Sequence, residues 1–230
     1  MHIVAMGGGG FLMEPGNPRL DDYVMSLASN RSPRVCFVPT AAGDSENFIV
    51  RFFTAFAKKD CKPSYLSLFK RDGESLRDFV LRQDVIYVGG GNTLNLLAIW
   101  RAHGFDQILR EAMADGIVLC GVSAGSLCWF ECGVTDSFGP ELKPLTNGLG
   151  FLPGSHCPHY DGEPDRRPTY HKMIAAGMPG GYAADDGCAL HFENGKLKDI
   201  ISSRKAAKAY RVNLVEGQVR EQPLLSKVLG

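Results

Sequence analysis

The sequence predicts an α/β protein, a mostly parallel sheet with helices on both of its faces, and three observations carry that prediction. Short apolar runs that read as buried strands alternate along the chain with stretches whose apolar residues recur at helical spacing. Several of those strand runs end in glycine-rich turns, at Gly7 to Gly10, Gly89 to Gly91 and Gly121 to Gly125. Turns of this kind at the carboxyl ends of strands are where open α/β sheets place ligands. A chain of 230 residues with a 44% hydrophobic fraction is also long enough to bury a large core. No internal repeat and no linker breaks the pattern, so the reading is one domain over residues 1–230.

Taken in order, His2 to Met6 is a short apolar strand that runs into the first glycine turn. Leu20 to Ala28 has helical spacing. Val35 to Val38 is a second buried strand, closed by Pro39-Thr40-Ala41-Ala42-Gly43. Ser45 is placed to cap a helix that runs through Phe56. Pro63 to Phe69 reads as a third strand and Leu76 to Leu81 as a short helix. Val85 to Val88 is a fourth strand, followed by helices over Leu94 to Trp100 and Phe105 to Ala114. Ile117 to Cys120 is the fifth strand, and Ser126 to Phe130 after it looks helical. Residues 133–170 are rich in Gly, Pro and polar residues and read as long loops or edge strands. Asn194-Gly195 suits a type I′ turn between hairpin strands that include His191 and Leu197. One or two C-terminal strands complete the chain.

Composition excludes several classes of function. Lys and Arg together number 25, as do Asp and Glu, so the net charge is zero. Nothing favours nucleic acid or an anionic membrane surface as a partner. No apolar run approaches the ~20 residues of a membrane helix. The first residues enter a strand with no charged leader, which leads to the expectation of a cytoplasmic protein. The 7 cysteines are odd in number, scattered and without a Cys-x-x-Cys pair, which agrees with a reducing compartment. Cys36 and Cys120 lie in strand-like runs as small buried hydrophobes.

The most specific chemical signal is Gly121-Val122-Ser123-Ala124-Gly125 between the fifth strand and a helical stretch. This is the Gly-x-Ser-x-Gly nucleophile elbow. The small flanking residues allow a sharp turn that projects Ser123 Oγ from the top of a sheet. The N–H of the next residue, Ala124, can then point at a developing oxyanion. Gly89-Gly90-Gly91-Asn92 at the end of the fourth strand can donate a second oxyanion N–H. Asn92 is a candidate for substrate contact, and Asn92 or Thr93 can cap the following helix. Gly7 to Gly10 fails the dinucleotide spacing and reads as turn geometry, and no P-loop is present.

A serine nucleophile needs a base. Of the six histidines, His156 and His159 lie in Ser155-His156-Cys157-Pro158-His159-Tyr160, downstream of the serine. Residues three apart on a strand face opposite ways, so one of the two is expected to face Ser123. His159 is the better base, because Pro158 rigidifies its approach and Asp161-Gly162 turns the chain after it. A zinc site using both histidines lacks a clear third ligand.

Val88 to Thr93, Gly121 to Ser126, Pro158-His159-Tyr160 and Asp186-Gly187, in this order, resemble the dipeptidase E family of serine peptidases, whose relatives include cyanophycinase. The resemblance covers most of the chain. It implies a class I glutamine-amidotransferase-like, flavodoxin-like three-layer sandwich carrying a Ser-His-acid set, with serine where the amidotransferases have cysteine. Carried over residue by residue, Ser123 is the nucleophile, His159 the base, and Gly90 or Gly91 with Ala124 the oxyanion donors. Asp186 and Asp136 both match acidic positions of the family, and chain order does not choose between them.

The family's best-known members cleave dipeptides with an N-terminal aspartate. That side chain calls for an arginine, which holds a carboxylate through two parallel hydrogen bonds. Arg167, with Arg166 as its neighbour, is the candidate, and Asp161 or Glu163 is available for a substrate amino group. The expected reaction is hydrolysis through an acyl-enzyme, with a short peptide as substrate and no metal or cofactor. The chain is expected to act as a monomer or homodimer. Two other readings remain open: a related hydrolase acting on β-aspartyl or acyl-amino bonds, and a non-catalytic module binding a small ligand. A glutamine-amidotransferase-like enzyme is disfavoured by serine at 123.

Overall fold

A computed structural model describes residues 1–71 and 73–230. The strands are β1 (His2–Met6), β2 (Arg34–Val38), β3 (Lys62–Tyr65), β4 (Val85–Val88), β5 (Val118–Val122), β6 (Phe130–Thr135), β7 (Lys143–Leu145), β8 (Leu152–Cys157), β9 (Gly181–Ala184), β10 (Cys188–Glu193), β11 (Lys196–Ser202), β12 (Ala209–Val215), β13 (Gln218–Leu224) and β14 (Lys227–Val228). The helices are α1 (Gly10–Met13), α2 (Arg19–Ser26), α3 (Glu46–Phe56), α4 (Leu76–Leu81), α5 (Thr93–Ala102), α6 (Phe105–Ala114), α7 (Ala124–Leu127) and α8 (Arg166–Ala175).

Among the described residues the strands form two sheets. The larger runs β14-β11-β10-β1-β5-β4-β2-β3. Its β1, β5, β4, β2 and β3 are parallel, and β10 pairs antiparallel to β1. The alternation of side chains explains why strands with continuous apolar runs were legible. Ile3, Cys36, Ile86 and Leu119 point into a core shared with Leu96, Trp100, Phe105 and Leu109 of α5 and α6. Val4, Phe37, Tyr87 and Cys120, one residue later, point into a core shared with Leu20, Val24, Phe52 and Phe56 of α2 and α3. Helices therefore cover both faces, as expected.

The smaller sheet runs β13-β12-β9-β8-β6-β7, and the sequence reading did not anticipate it. Residues 133–170, expected to be loops or edge strands, contain the end of β6, all of β7 and β8, and the start of α8. Their Gly and Pro content hid the pattern. Gly133 and Gly181 are required because a β-carbon there would stand 2.0 Å from His156 O and 1.8 Å from Ser155 O. Phe130, Leu145, Leu152, Ala184 and Ala209 of this sheet pack into the core that α5 and α6 share with the larger one.

Two boundaries differ from expectation. The third strand stops at Tyr65 rather than Phe69. The helix after the elbow ends at Leu127, and Phe130 already opens β6. The hairpin turn has positive φ at both Asn194 (51°) and Gly195 (76°), as a type I′ turn requires. Ser45 occupies the N-cap of α3, but its side chain makes no capping bond. No described helix is long and apolar enough to cross a membrane.

One buried charge gives this fold a testable pH dependence. Asp21 of α2 is 2% exposed and accepts a hydrogen bond from Tyr87 Oη at 3.0 Å. Desolvation, opposed by that bond and by Lys59, pushes its carboxyl from 3.8 up to about 6. Below pH 4 the group is protonated folded or unfolded. Between 4 and 6 the folded state holds the proton that the unfolded state has released, so stability falls as pH rises. The full effect is about 3 kcal/mol. Asp21→Asn is expected to gain that much on wild type between pH 4 and pH 7 in urea unfolding. A difference between the two proteins that is equal at both pH values would rule Asp21 out as the titrating group.

Candidate active site

The carboxyl end of β1 organises the site. Three consecutive residues there each hold one of the residues expected to do chemistry. Ser123 N donates to Met6 O at 3.2 Å, and His159 N donates to Gly7 O at 3.2 Å. Gly8 forms a parallel bridge with Asp186, and Gly187 N donates to Gly8 O at 2.9 Å. Gly7 and Gly8 are glycine because backbone and carboxylate approach so closely. A β-carbon on Gly7 would meet Ala184 O at 2.3 Å, and one on Gly8 would meet Asp186 Oδ1 at 2.0 Å. The sequence reading assigned this run to turn geometry alone. Its position at the end of a central strand was the signal available.

Ser123 lies between β5 and α7 with φ 58° and ψ −117°, a backbone conformation an L residue rarely adopts. The elbow is packed so tightly that both glycines are obligatory. A β-carbon on Gly121 would stand 2.2 Å from Gly125 O, and one on Gly125 would stand 2.4 Å from Val88 O. Among the described residues Ser123 Oγ makes no hydrogen bond. A β-carbon placed on Gly90 would lie 3.3 Å from Ser123 Cβ and 3.8 Å from Oγ, so the Gly90 backbone runs directly beside the serine. Gly91, with φ 137°, turns instead towards Ala41, whose carbonyl oxygen a β-carbon would meet at 2.2 Å. Asn92 serves the framework: Oδ1 accepts from Asn95 N at 2.8 Å to cap α5, and Nδ2 donates to Ser137 O at 3.0 Å.

His159, two residues past the end of β8, also has a positive φ, 55°. Its Nδ1 lies 2.6 Å from Asp186 Oδ1, with the two side chains 11% and 17% exposed. Partial burial pushes the Asp186 carboxyl up. The His159 hydrogen bond and charge, with Arg204 and Arg166, outweigh burial and hold it below the usual carboxylate range. Asp161 Oδ1 accepts from Asp186 N at 2.7 Å. A β-carbon on Gly162 would lie 2.3 Å from Asp186 Oδ2, so the turn after His159 closes around the acid.

The other expected acid, Asp136, stands elsewhere. Its side chain is 57% exposed, and Oδ1 lies 3.8 Å from Arg166 Nη2. Arg166 is buried, donating from Nε to Glu163 Oε2 at 2.7 Å and from Nη1 to Val134 O at 3.0 Å. Arg167 points away, half exposed and paired to Glu221 through both Nε and Nη2. Its guanidinium lies over the rings of Tyr160 and Tyr210. His156 is fully buried. Both its ring nitrogens have partners, Ser126 Oγ at 3.1 Å and Tyr182 O at 3.2 Å. Of the expected residues, the structure thus brings together Ser123, Gly90, Ala124, His159 and Asp186, with Arg166 near enough to act on the Asp186 carboxyl and Asp136 outside that cluster, 3.8 Å from Arg166.

The profile of peptidase family S51 matches residues 3–200. This chain belongs to peptidase family S51. A Bacillus subtilis protein named uncharacterized peptidase YgaJ is 58% identical over 229 residues, covering 99% of each chain. A peptidase E of Haemophilus influenzae is 27% identical over 201 residues, 81% of this chain and 86% of its own. In fold, the S51 chain is similar to a crystal structure of a peptidase from an acI-B1 Actinobacterium, with a TM-score of 0.72 at 20% identity over 98% of this chain and 94% of that one. It is also similar to the structure of a putative peptidase E protein from Listeria monocytogenes, with a TM-score of 0.63 at 19% identity, covering 88% and 98%. The S51 chain is therefore a peptidase, a hydrolase of peptide bonds.

Proposed function

We propose that this peptidase is a serine-type dipeptidase that works through Ser123, His159 and Asp186 and an acyl-enzyme. The observation that carries the reading is the end of β1, where Met6, Gly7 and Gly8 hold those three residues side by side. Asp186 accepts the Nδ1–H of His159, which leaves Nε2 free to take the Ser123 proton as Oγ attacks the peptide carbonyl. The N–H groups of Gly90 and Ala124 have no acceptor among the described residues and flank Ser123, so they serve as the oxyanion donors. His159 then protonates the leaving amine, and water releases the acyl group through the same base. No step calls on a metal or cofactor.

For the substrate, we assign N-terminal aspartyl dipeptides, with Arg166 rather than Arg167 receiving the side-chain carboxylate. Arg166 lies close enough to Asp186 to help depress its carboxyl. One of its partners, Asp136, is more than half exposed and only 3.8 Å away, a contact that a substrate carboxylate can replace. Relatives bearing the name peptidase E are consistent with a peptide substrate. Hydrolysis of Asp-p-nitroanilide against the Ala and Leu analogues tests the reading. Release from the aspartyl substrate is expected to be at least tenfold faster, since a desolvated guanidinium–carboxylate pair supports a discrimination of roughly that size or more. Equal rates on all three would remove the aspartate specificity and leave the serine peptidase. Inertness towards these and towards β-aspartyl dipeptides would remove the dipeptidase assignment.

A further inference from the structure

Beside the triad lies a buried polar link that the mechanism above does not use. Ser126 and His156 are both 0% exposed. Ser126 Oγ lies 2.8 Å from Ser123 O and 3.1 Å from His156 Nε2. His156 Nδ1 faces the carbonyl oxygen of Tyr182 at 3.2 Å. A carbonyl only accepts, so Nδ1 carries the ring hydrogen. Burial, assisted by the charges of His159 and Arg166, keeps the imidazole neutral and pushes its pKa down to about 3. Nε2 is therefore a lone-pair acceptor, and the single Ser126 hydroxyl hydrogen lies between it and the Ser123 carbonyl. The ring is clamped by stacking on Phe130 at 4.7 Å and 14°.

The Ser123 carbonyl and the Ala124 N–H belong to one peptide unit. That unit is planar, with its C=O and N–H pointing opposite ways. Whatever holds the carbonyl therefore aims the N–H. Ser123 O receives Ser126 N and Leu127 N, each at 2.9 Å, and the Ser126 hydroxyl is its side-chain partner. The restraint matters here because Ser123 itself sits in a strained conformation, from which the peptide would otherwise relax. His156 and Tyr182 lie on β8 and β9, the strands that lead to His159 and Asp186. The link therefore also ties the elbow to the strands that carry the base and the acid.

We propose that Ser126, whose one hydroxyl hydrogen is shared between Ser123 O and His156 Nε2, is a positioning residue that aims the Ala124 N–H at the oxyanion. This rests on the serine-peptidase reading above. It is tested by steady-state hydrolysis of the best p-nitroanilide substrate, with pH profiles, for wild type, Ser126→Ala and the near-isosteric Ser126→Cys. Labelling of Ser123 by a fluorophosphonate runs in parallel. Ser126→Ala is expected to lower kcat roughly tenfold or more, short of the ~10²–10³-fold of deleting an oxyanion donor outright. KM should stay within twofold and the pH midpoint should not move. Ser126→Cys, a weaker donor, should fall between the two. It carries the test alone if the alanine variant does not fold, when a lowered kcat at constant KM supports the proposal and a wild-type kcat overturns it. A kcat for Ser126→Ala within twofold of an active wild type overturns the positioning role and leaves the peptidase reading intact. A fall accompanied by a displaced pH midpoint also overturns it, since the damage would then lie in the His159–Asp186 pair. A wild type that neither hydrolyses nor labels overturns the reading and the positioning role together.

Discussion

Ser123→Ala is expected to lower kcat by a factor on the order of 10⁵–10⁶ while leaving the thermal midpoint unchanged within about 2 °C. The two halves of the expectation have separate causes. Activity is lost because the acyl-enzyme has no other oxygen to form on. Ser126, a neighbouring hydroxyl, is fully buried and committed to Ser123 O and His156. Stability is retained because Ser123 Oγ holds no hydrogen bond among the described residues, so its removal orphans no partner. Alanine also carries the same β-carbon at φ 58°, and the strain of the elbow is neither added to nor relieved. Hydrolysis of p-nitroanilides and thermal denaturation measure the two halves. Undiminished turnover in the variant would remove the nucleophile and the mechanism built on it.

Asp186→Asn is expected to cost about 10⁴-fold in kcat, and Asp136→Asn less than tenfold. The amide introduced by Asp186→Asn would keep the shape of the carboxylate but lose the charge that steadies the imidazolium. Its NH₂ can also face Nδ1 and stabilise the wrong tautomer, with the hydrogen on Nε2 and no lone pair for the Ser123 proton. The environment makes the native charge firm: Asp186 takes Asp161 as acceptor for its own N–H and is held below the ordinary carboxylate range chiefly by His159, against the upward push of burial. Asp136 has none of this: its side chain is more than half exposed, with Arg166 3.8 Å away. Kinetics of the two variants side by side decide between the acids. Comparable losses, or a larger loss at Asp136, would reject Asp186.

Much of this candidate site was legible in the sequence because it is compressed into short local patterns. The elbow needs Gly121 and Gly125 within five residues of chain, since each meets backbone at under 2.5 Å, and so it left a readable signature. His159 stood out from His156 through Pro158 and the turn at Asp161-Gly162. The five parallel strands were visible because both of their faces are buried, which forces continuous apolar runs. The choice between Asp136 and Asp186, and between Arg166 and Arg167, was not legible. Each pair is alike in residue type, and its members differ only in what the fold sets against them.

By itself, then, the sequence determined the α/β class and the succession along the chain of the five parallel strands, and it singled out the candidate serine, the candidate histidine and the glycine turn beside them. Each of these is encoded by a spacing of a few residues, where backbone sterics leave little freedom. Only the tertiary structure decided the second sheet, built from a Gly- and Pro-rich region whose pairing is long-range. It alone showed that Met6, Gly7 and Gly8 gather the three candidate catalytic residues. It alone set Arg166 inside and Arg167 outside, and joined Ser126 to His156. Those are contacts between segments that lie far apart in the chain, and burial and hydrogen bonding across such distances leave no periodicity for a sequence to display.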